Sequence, residues 1–177
     1  MKHNDKKLKV SKEQFAEVLY IWLSKNWNGE VIKEIAKESH FGIRNIKDFI
    51  KISKELFFLN VWSVICACEA EFVDEGKRNK CLDIFFNLVY KRHPERTEKS
   101  FSTWMEEIKK KCIEYDKALE RNHPTAPAWK PGWELSKLIS RNLFGKLEKS
   151  LNFVPVHARI VFATKHLREL IKKFDIE

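Results

Sequence analysis

The chain contains only 5 glycines and 5 prolines in 177 residues. A sandwich or barrel of many short strands needs turn-forming residues at close, regular intervals, so this scarcity excludes those folds and favours long helices with few connections. Long apolar runs are missing as well. The most apolar stretch, residues 56–70 (LFFLNVWSVICACEA), falls short of the roughly 20 residues a bilayer crossing needs and is interrupted by Asn60 and Ser63. It reads as a buried central helix.

Several chemical signatures are absent. The sequence has no glycine-rich phosphate loop of the Walker or dinucleotide type and no Gly-x-Ser-x-Gly elbow. Nor does it have Cys-x-x-Cys, His-Glu-x-x-His or the paired Glu-x-x-His of di-iron bundles. Neither a metal nor an organic cofactor is expected. Cys66 and Cys68 lie two apart on a predicted helix and point to nearly opposite sides, which suits core thiols better than a ligand pair. The N-terminal MKHNDKKLKV is charged with no apolar core behind it, so reduced thiols and a cytoplasmic protein are expected. There is no internal repeat and no low-complexity segment.

What is present is an ordinary globular balance, 44% hydrophobic and 33% charged, in a chain of the length of one domain with a proper core. Lys and Arg number 34 against 25 Asp and Glu, a net charge of +9. Such an excess favours anionic partners, nucleic acid first and an acidic protein second.

Periodicity and punctuation give an all-α, single-domain bundle of about six to seven helices. Ser11 with Gln14 forms a capping-box pattern ahead of a helix over 12–26 with Phe15, Val18, Leu19, Trp22 and Leu23 on one face. Asn28 is placed to cap a second helix through Ser39, before a turn at His40-Phe41-Gly42. Residues 43–73 form the central apolar helix, with a bend expected near Ser53 or Asn60. A fourth helix follows the break at residues 74–77 and ends before His93-Pro94. A fifth covers 95–121. Residues 122–132 (NHPTAPAWKPG) carry three prolines and read as an exposed loop, followed by a C-terminal pair over 133–151 and 155–174. Residues 1–10 are expected to be a flexible lead.

Three constellations could carry function. Residues 30–51 resemble a helix-turn-helix, in which Arg44, Asn45, Lys47 and Lys51 would face bases or phosphates, with Asp48 unfavourable among them. Arg159 and His166, seven apart and so on one helix face, resemble the Arg-x(4 to 6)-His motif of the HEPN ribonuclease superfamily, although Ile160 stands where that motif commonly has a polar residue. The resemblance implies an Arg that holds phosphate and a His that transfers a proton. A paired His166–Glu169 on a solvated face is the bland reading of the same residues. Trp129 and Trp133, on the proline-stiffened loop, are candidates for binding a partner or stacking bases, or else seal one end of the core.

If the last two helices pair antiparallel, Lys137 and Arg141 would lie beside Arg159 and Lys173 and form a positive groove. Glu69 is the carboxylate within the central apolar run; desolvated it would suit acid-base work, but its place near the end of that helix favours simple exposure. Three functions follow, in order. The first is a non-catalytic nucleic-acid-binding module working through backbone contacts at Lys137, Arg141, Arg159, Lys173, Arg44 and Lys47. The second is a protein-interaction or assembly subunit, and the third an RNA-cleaving enzyme using Arg159 and His166.

Overall fold

A computed structural model describes residues 7–38, 43–93, 98–120, 133–144 and 154–177. Seven helices are present among them, α1 (Lys12–Asn26), α2 (Gly29–Glu38), α3 (Ile46–Glu71), α4 (Glu75–Arg92), α5 (Phe101–Glu120), α6 (Trp133–Phe144) and α7 (Val154–Ile171). Two short strands, β1 (Leu8–Val10) and β2 (Phe174–Ile176), pair in parallel.

The central helix is α3. Its 26 residues make a rod about 39 Å long, and every residue from 55 to 64 is buried. An unbroken buried run means neighbours on all sides, and α3 does touch each of the other six helices. Helix α3 runs unbroken through Ser53 and Asn60, and neither ends it. Each instead ties down the end of α1: Trp27 Nε1 donates to the carbonyl and the hydroxyl of Ser53, both at 2.9 Å, and Asn60 Nδ2 donates to the Asn26 carbonyl at 2.9 Å. Polar groups inside an apolar run thus satisfy the orphan groups of a neighbouring helix end.

Local capping sets the helix starts. Ser11 and Gln14 form the reciprocal box at α1, Asn28 Oδ1 accepts from the amides of Glu30 and Val31, and Asn45 and Asp74 cap α3 and α4. The Asp74 cap starts α4 at Glu75, through Gly76, inside the stretch read as a break. Ser100 Oγ accepts from the Thr103 amide, so α5 begins at Phe101 rather than near residue 95.

The chain ends also differ from expectation. α7 stops at Ile171, short of the expected end at residue 174, and β2 begins at Phe174. Its partner β1 lies in the stretch read as a loose lead, with residues 1–6 outside the described part. Backbone bonds from Leu8 N to the Lys173 carbonyl (2.8 Å) and from Glu177 N to the Val10 carbonyl (2.9 Å) extend the pairing, and Lys9 meets Glu177 at 2.8 Å. Non-local pairing of this kind leaves no signature in a three-residue window.

One buried carboxylate joins three helices. Glu55, in the first half of α3, is 6% exposed. Its Oε1 accepts from Tyr115 Oη of α5 and from Asn142 Nδ2 of α6, each at 2.8 Å, and Lys111 Nζ of α5 lies 3.1 Å from Oε2. Burial, with the Glu55 charge behind it, pushes the Tyr115 hydroxyl above its usual range, so that it stays a donor. Burial alone would lower the Lys111 ammonium, but the carboxylates of Glu55 and Glu114 outweigh it and raise it. Glu69, near the end of α3, is exposed, as that position suggests.

Removing one partner of a buried charge cluster strands the others. Glu55→Ala is expected to cost about 3–5 kcal/mol in urea unfolding, whereas Tyr115→Phe, which leaves Glu55 two donors, is expected to cost about 1 kcal/mol. Equal small losses for both would show that the cluster does not hold α5 and α6.

Candidate functional site

The last helix has two faces of different chemistry. Val156, Ile160, Leu167 and Ile171 are buried, and this stripe packs α7 along α3. Around the barrel, Arg159, Phe162, Ala163 and His166 recur at i, i+3, i+4 and i+7 and therefore share a face. That face forms one wall of a cleft of about 740 Å³, whose other walls are Trp22 and Asn26 near the end of α1 and Glu38 at the end of α2. The Arg–His spacing noticed in the sequence is thus realised as two groups lining one cleft, about 10 Å apart along the helix axis.

Arg159 carries the clearest electrostatic signal. Its Nε is buried and has no hydrogen-bond partner among the described residues. Burial lowers its affinity for the proton, and the nearby Glu34 and Glu38 carboxylates pull the other way. No ion pair with either is formed among the described residues. A guanidinium remains charged under these conditions. A buried donor left unpaired costs on the order of 1–3 kcal/mol, and such groups mark sites where something other than stability is served. His166 is exposed. The expected His166–Glu169 pair is not formed among the described residues, and the Glu169 carboxylate takes Lys172 at 3.0 Å instead.

Trp22, Asn26, Glu38 and Phe162 were not singled out in the sequence. A signal existed for Phe162, which stands on the Arg–His face and is 67% exposed. For the other three, only the packing of α1 and α2 beside α7 brings them in.

The remaining candidates do not converge on this cleft. Lys137 and Arg141 line a separate one of about 250 Å³ between α5 and α6, together with Glu114 and Glu134, and Lys137 is paired with Glu134 at 2.7 Å. Lys173 lies beyond the C-terminal end of α7, about 18 Å or more along the axis from Arg159. The single positive groove anticipated from these four residues is therefore divided. Arg44 and Lys47 are exposed at the start of α3. Asn45 is spent on capping, and Asp48 folds back to take the Arg44 amide and, at 3.3 Å, its Nε. The turn of the helix-turn-helix resemblance, at residues 39–42, lies outside the described residues. So does Trp129, and so does the side chain of Trp133, which opens α6.

Burial pushes the Cys66, Cys68 and Cys112 thiols up to about 12, leaving them weak nucleophiles. No group of three or more His, Cys, Asp or Glu is placed to hold a metal ion among the described residues. No helix among them is long and apolar enough to cross a membrane.

If the Arg159 guanidinium serves a ligand, its removal should not weaken the fold. Arg159→Met keeps the apolar stem and deletes the orphan donor, so its thermal midpoint is expected to equal or exceed the parent's. A fall of several degrees would assign Arg159 a structural role.

Comparison with known proteins finds no family model, no curated protein and no solved structure that matches the chain.

Proposed function

We propose that this protein binds single-stranded nucleic acid, RNA foremost, by seating a backbone phosphate against Arg159 in the cleft between α1, α2 and α7. The observation that carries the reading is the buried, unpartnered Arg159 Nε in a solvent-open cleft. A phosphate oxygen in the cleft can accept from the terminal nitrogens of this guanidinium, which lines the wall. The net charge of +9 adds long-range attraction for a polyanion. Phe162 and Trp22 offer ring faces on which a base can stack, an interaction every base can make. Arg44, Lys47 and Arg141, exposed cations outside the cleft, add to that long-range attraction. The four cysteines are free thiols, which suits a reducing, cytoplasmic setting.

A second reading rests on His166 and Glu38, which line the same cleft. Metal-independent RNA cleavage needs a base to take the proton of the 2′-hydroxyl as its oxygen attacks the adjacent phosphorus. It also needs an acid to protonate the departing 5′-oxygen as the P–O bond breaks. A carboxylate and an imidazole can divide those roles, with Arg159 holding the charge that builds on the phosphoryl oxygens. Glu38 at the wall also sets a cost for a bare phosphate site, which this division of labour would put to use.

Fluorescence anisotropy with labelled single-stranded RNA, single-stranded DNA and duplex DNA, at low and near-physiological salt, tests the binding reading. RNA is expected to bind most tightly, with an affinity that falls steeply as salt rises. Arg159→Ala should weaken it at least about tenfold, equivalent to about 1.4 kcal/mol, and the Lys137→Ala/Arg141→Ala pair by less. No binding at low salt would refute it and leave a protein-interaction subunit as the reading to pursue. For cleavage, gel analysis of the same RNA should show products that vanish with His166→Ala and with 2′-deoxy substitution. Intact RNA in every lane would leave binding alone.

A further inference from the structure

A second cavity, of about 200 Å³, shares no wall residue with the Arg159 cleft and lies between the end of α1, the first half of α3, the residue after α4 and the start of α5. Its walls are largely rings. Trp27 stacks on His93 at 5.5 Å with planes 7° apart, and Phe57 meets each of them at 4.8 Å. Trp104 lies 6.1 Å from Phe57 and 5.9 Å from His93. Pairs at such separations stabilise one another through offset and edge contacts, and the cavity is the position a further ring would take in the cluster.

The ring walls offer an ordered water few of the two to four polar partners it needs, since the Trp27 N–H already donates to Ser53; the polar groups of the wall are Ser53, Lys54, His93 and Glu107. A cavity of roughly 150 Å³ suffices for benzene, so this one has room for a single aromatic ring and a short tail.

The charged groups of the wall are Lys54 and Glu107. Glu107 is taken by Lys99, whose Nζ lies 2.8 and 3.0 Å from its two oxygens, and this contact holds its carboxyl below the usual range. Lys54 reaches the same carboxylate only at 3.7 Å and keeps 44% of its side chain exposed. The ammonium at the cavity thus has only a 3.7 Å ion pair and the Phe58 ring, 5.9 Å from its nitrogen, looser contacts than those of the carboxylate.

We propose that this cavity binds a small planar aromatic carboxylate, with the ring among Trp27, Phe57 and Trp104 and the carboxylate on Lys54 Nζ. Charge selects the anion over an amine of the same shape, and the ring cluster supplies the apolar contact.

The test is a matched series, phenylacetate, 2-phenylethanol and phenethylamine, titrated into the full chain. Binding is read from the indole N–H resonances of Trp27 and Trp104 in a two-dimensional NMR spectrum. Phenylacetate is expected to bind saturably, about five- to tenfold more tightly than 2-phenylethanol, with phenethylamine weakest. Lys54→Gln, at a partly exposed position where the fold is expected to tolerate it, should remove the advantage of phenylacetate and leave 2-phenylethanol unchanged. The proposal is overturned if none of the three shifts those resonances saturably or if the amine binds best. It is equally overturned if Lys54→Gln leaves the phenylacetate affinity as it was.

Discussion

Glu55 is the constraint around which the bundle is arranged. An ionised carboxylate inside a helical core costs several kcal/mol unless charge and hydrogen bonds answer it, and here Lys111, Tyr115 and Asn142 do so from two other helices. Apolar packing would tolerate α5 and α6 sliding along α3 by a fraction of a turn. The carboxylate does not, because each donor must arrive at hydrogen-bonding distance. A second fixed point two turns further along α3, the bond from Trp62 Nε1 to Asp116 of α5 at 2.8 Å, sets the same register. Together they pin one side of the central helix and leave another for α7.

The consequences for function run through α7. Its apolar stripe is absorbed by α3, which turns Arg159, Phe162 and His166 toward the ends of α1 and α2. The end of α1 is in turn fixed by the Trp27–Ser53 and Asn60–Asn26 bonds, and α2 packs on α3. The cleft is therefore walled by elements that are each anchored to α3, the arrangement a site needs if its groups are to be held before a ligand arrives. Within this framework Arg159 is the exception, a buried donor with no partner among the described residues in a protein whose other described cations are mostly exposed or paired. The aromatic cavity is also walled at the end of α1, so Trp27 contributes to both the anchoring of α1 and the ring cluster.

By itself the sequence determined the class of fold, because hydrophobic spacing and capping are local. Ser11 with Gln14, Asn28 and the apolar run beginning at Leu56 each specify a helix or its start within a few residues, and the structure places all three accordingly. It also marked the face carrying Arg159 and His166, since seven residues on a helix return to the same side whatever surrounds it. What only the tertiary structure decided depends on residues far apart in the chain. Glu55, within Ser-Lys-Glu-Leu, reads as a solvated side chain until Tyr115 and Asn142 arrive 60 and 87 residues later. The two strands exist only through each other. Lys137, Arg141, Arg159 and Lys173 are alike in composition, yet Lys137 pairs with Glu134 one turn before it on α6, while the packing of α7 buries the Arg159 Nε without a partner among the described residues. Helical period tells which residues share a face, but which faces meet is settled by burial and by charges that must find partners.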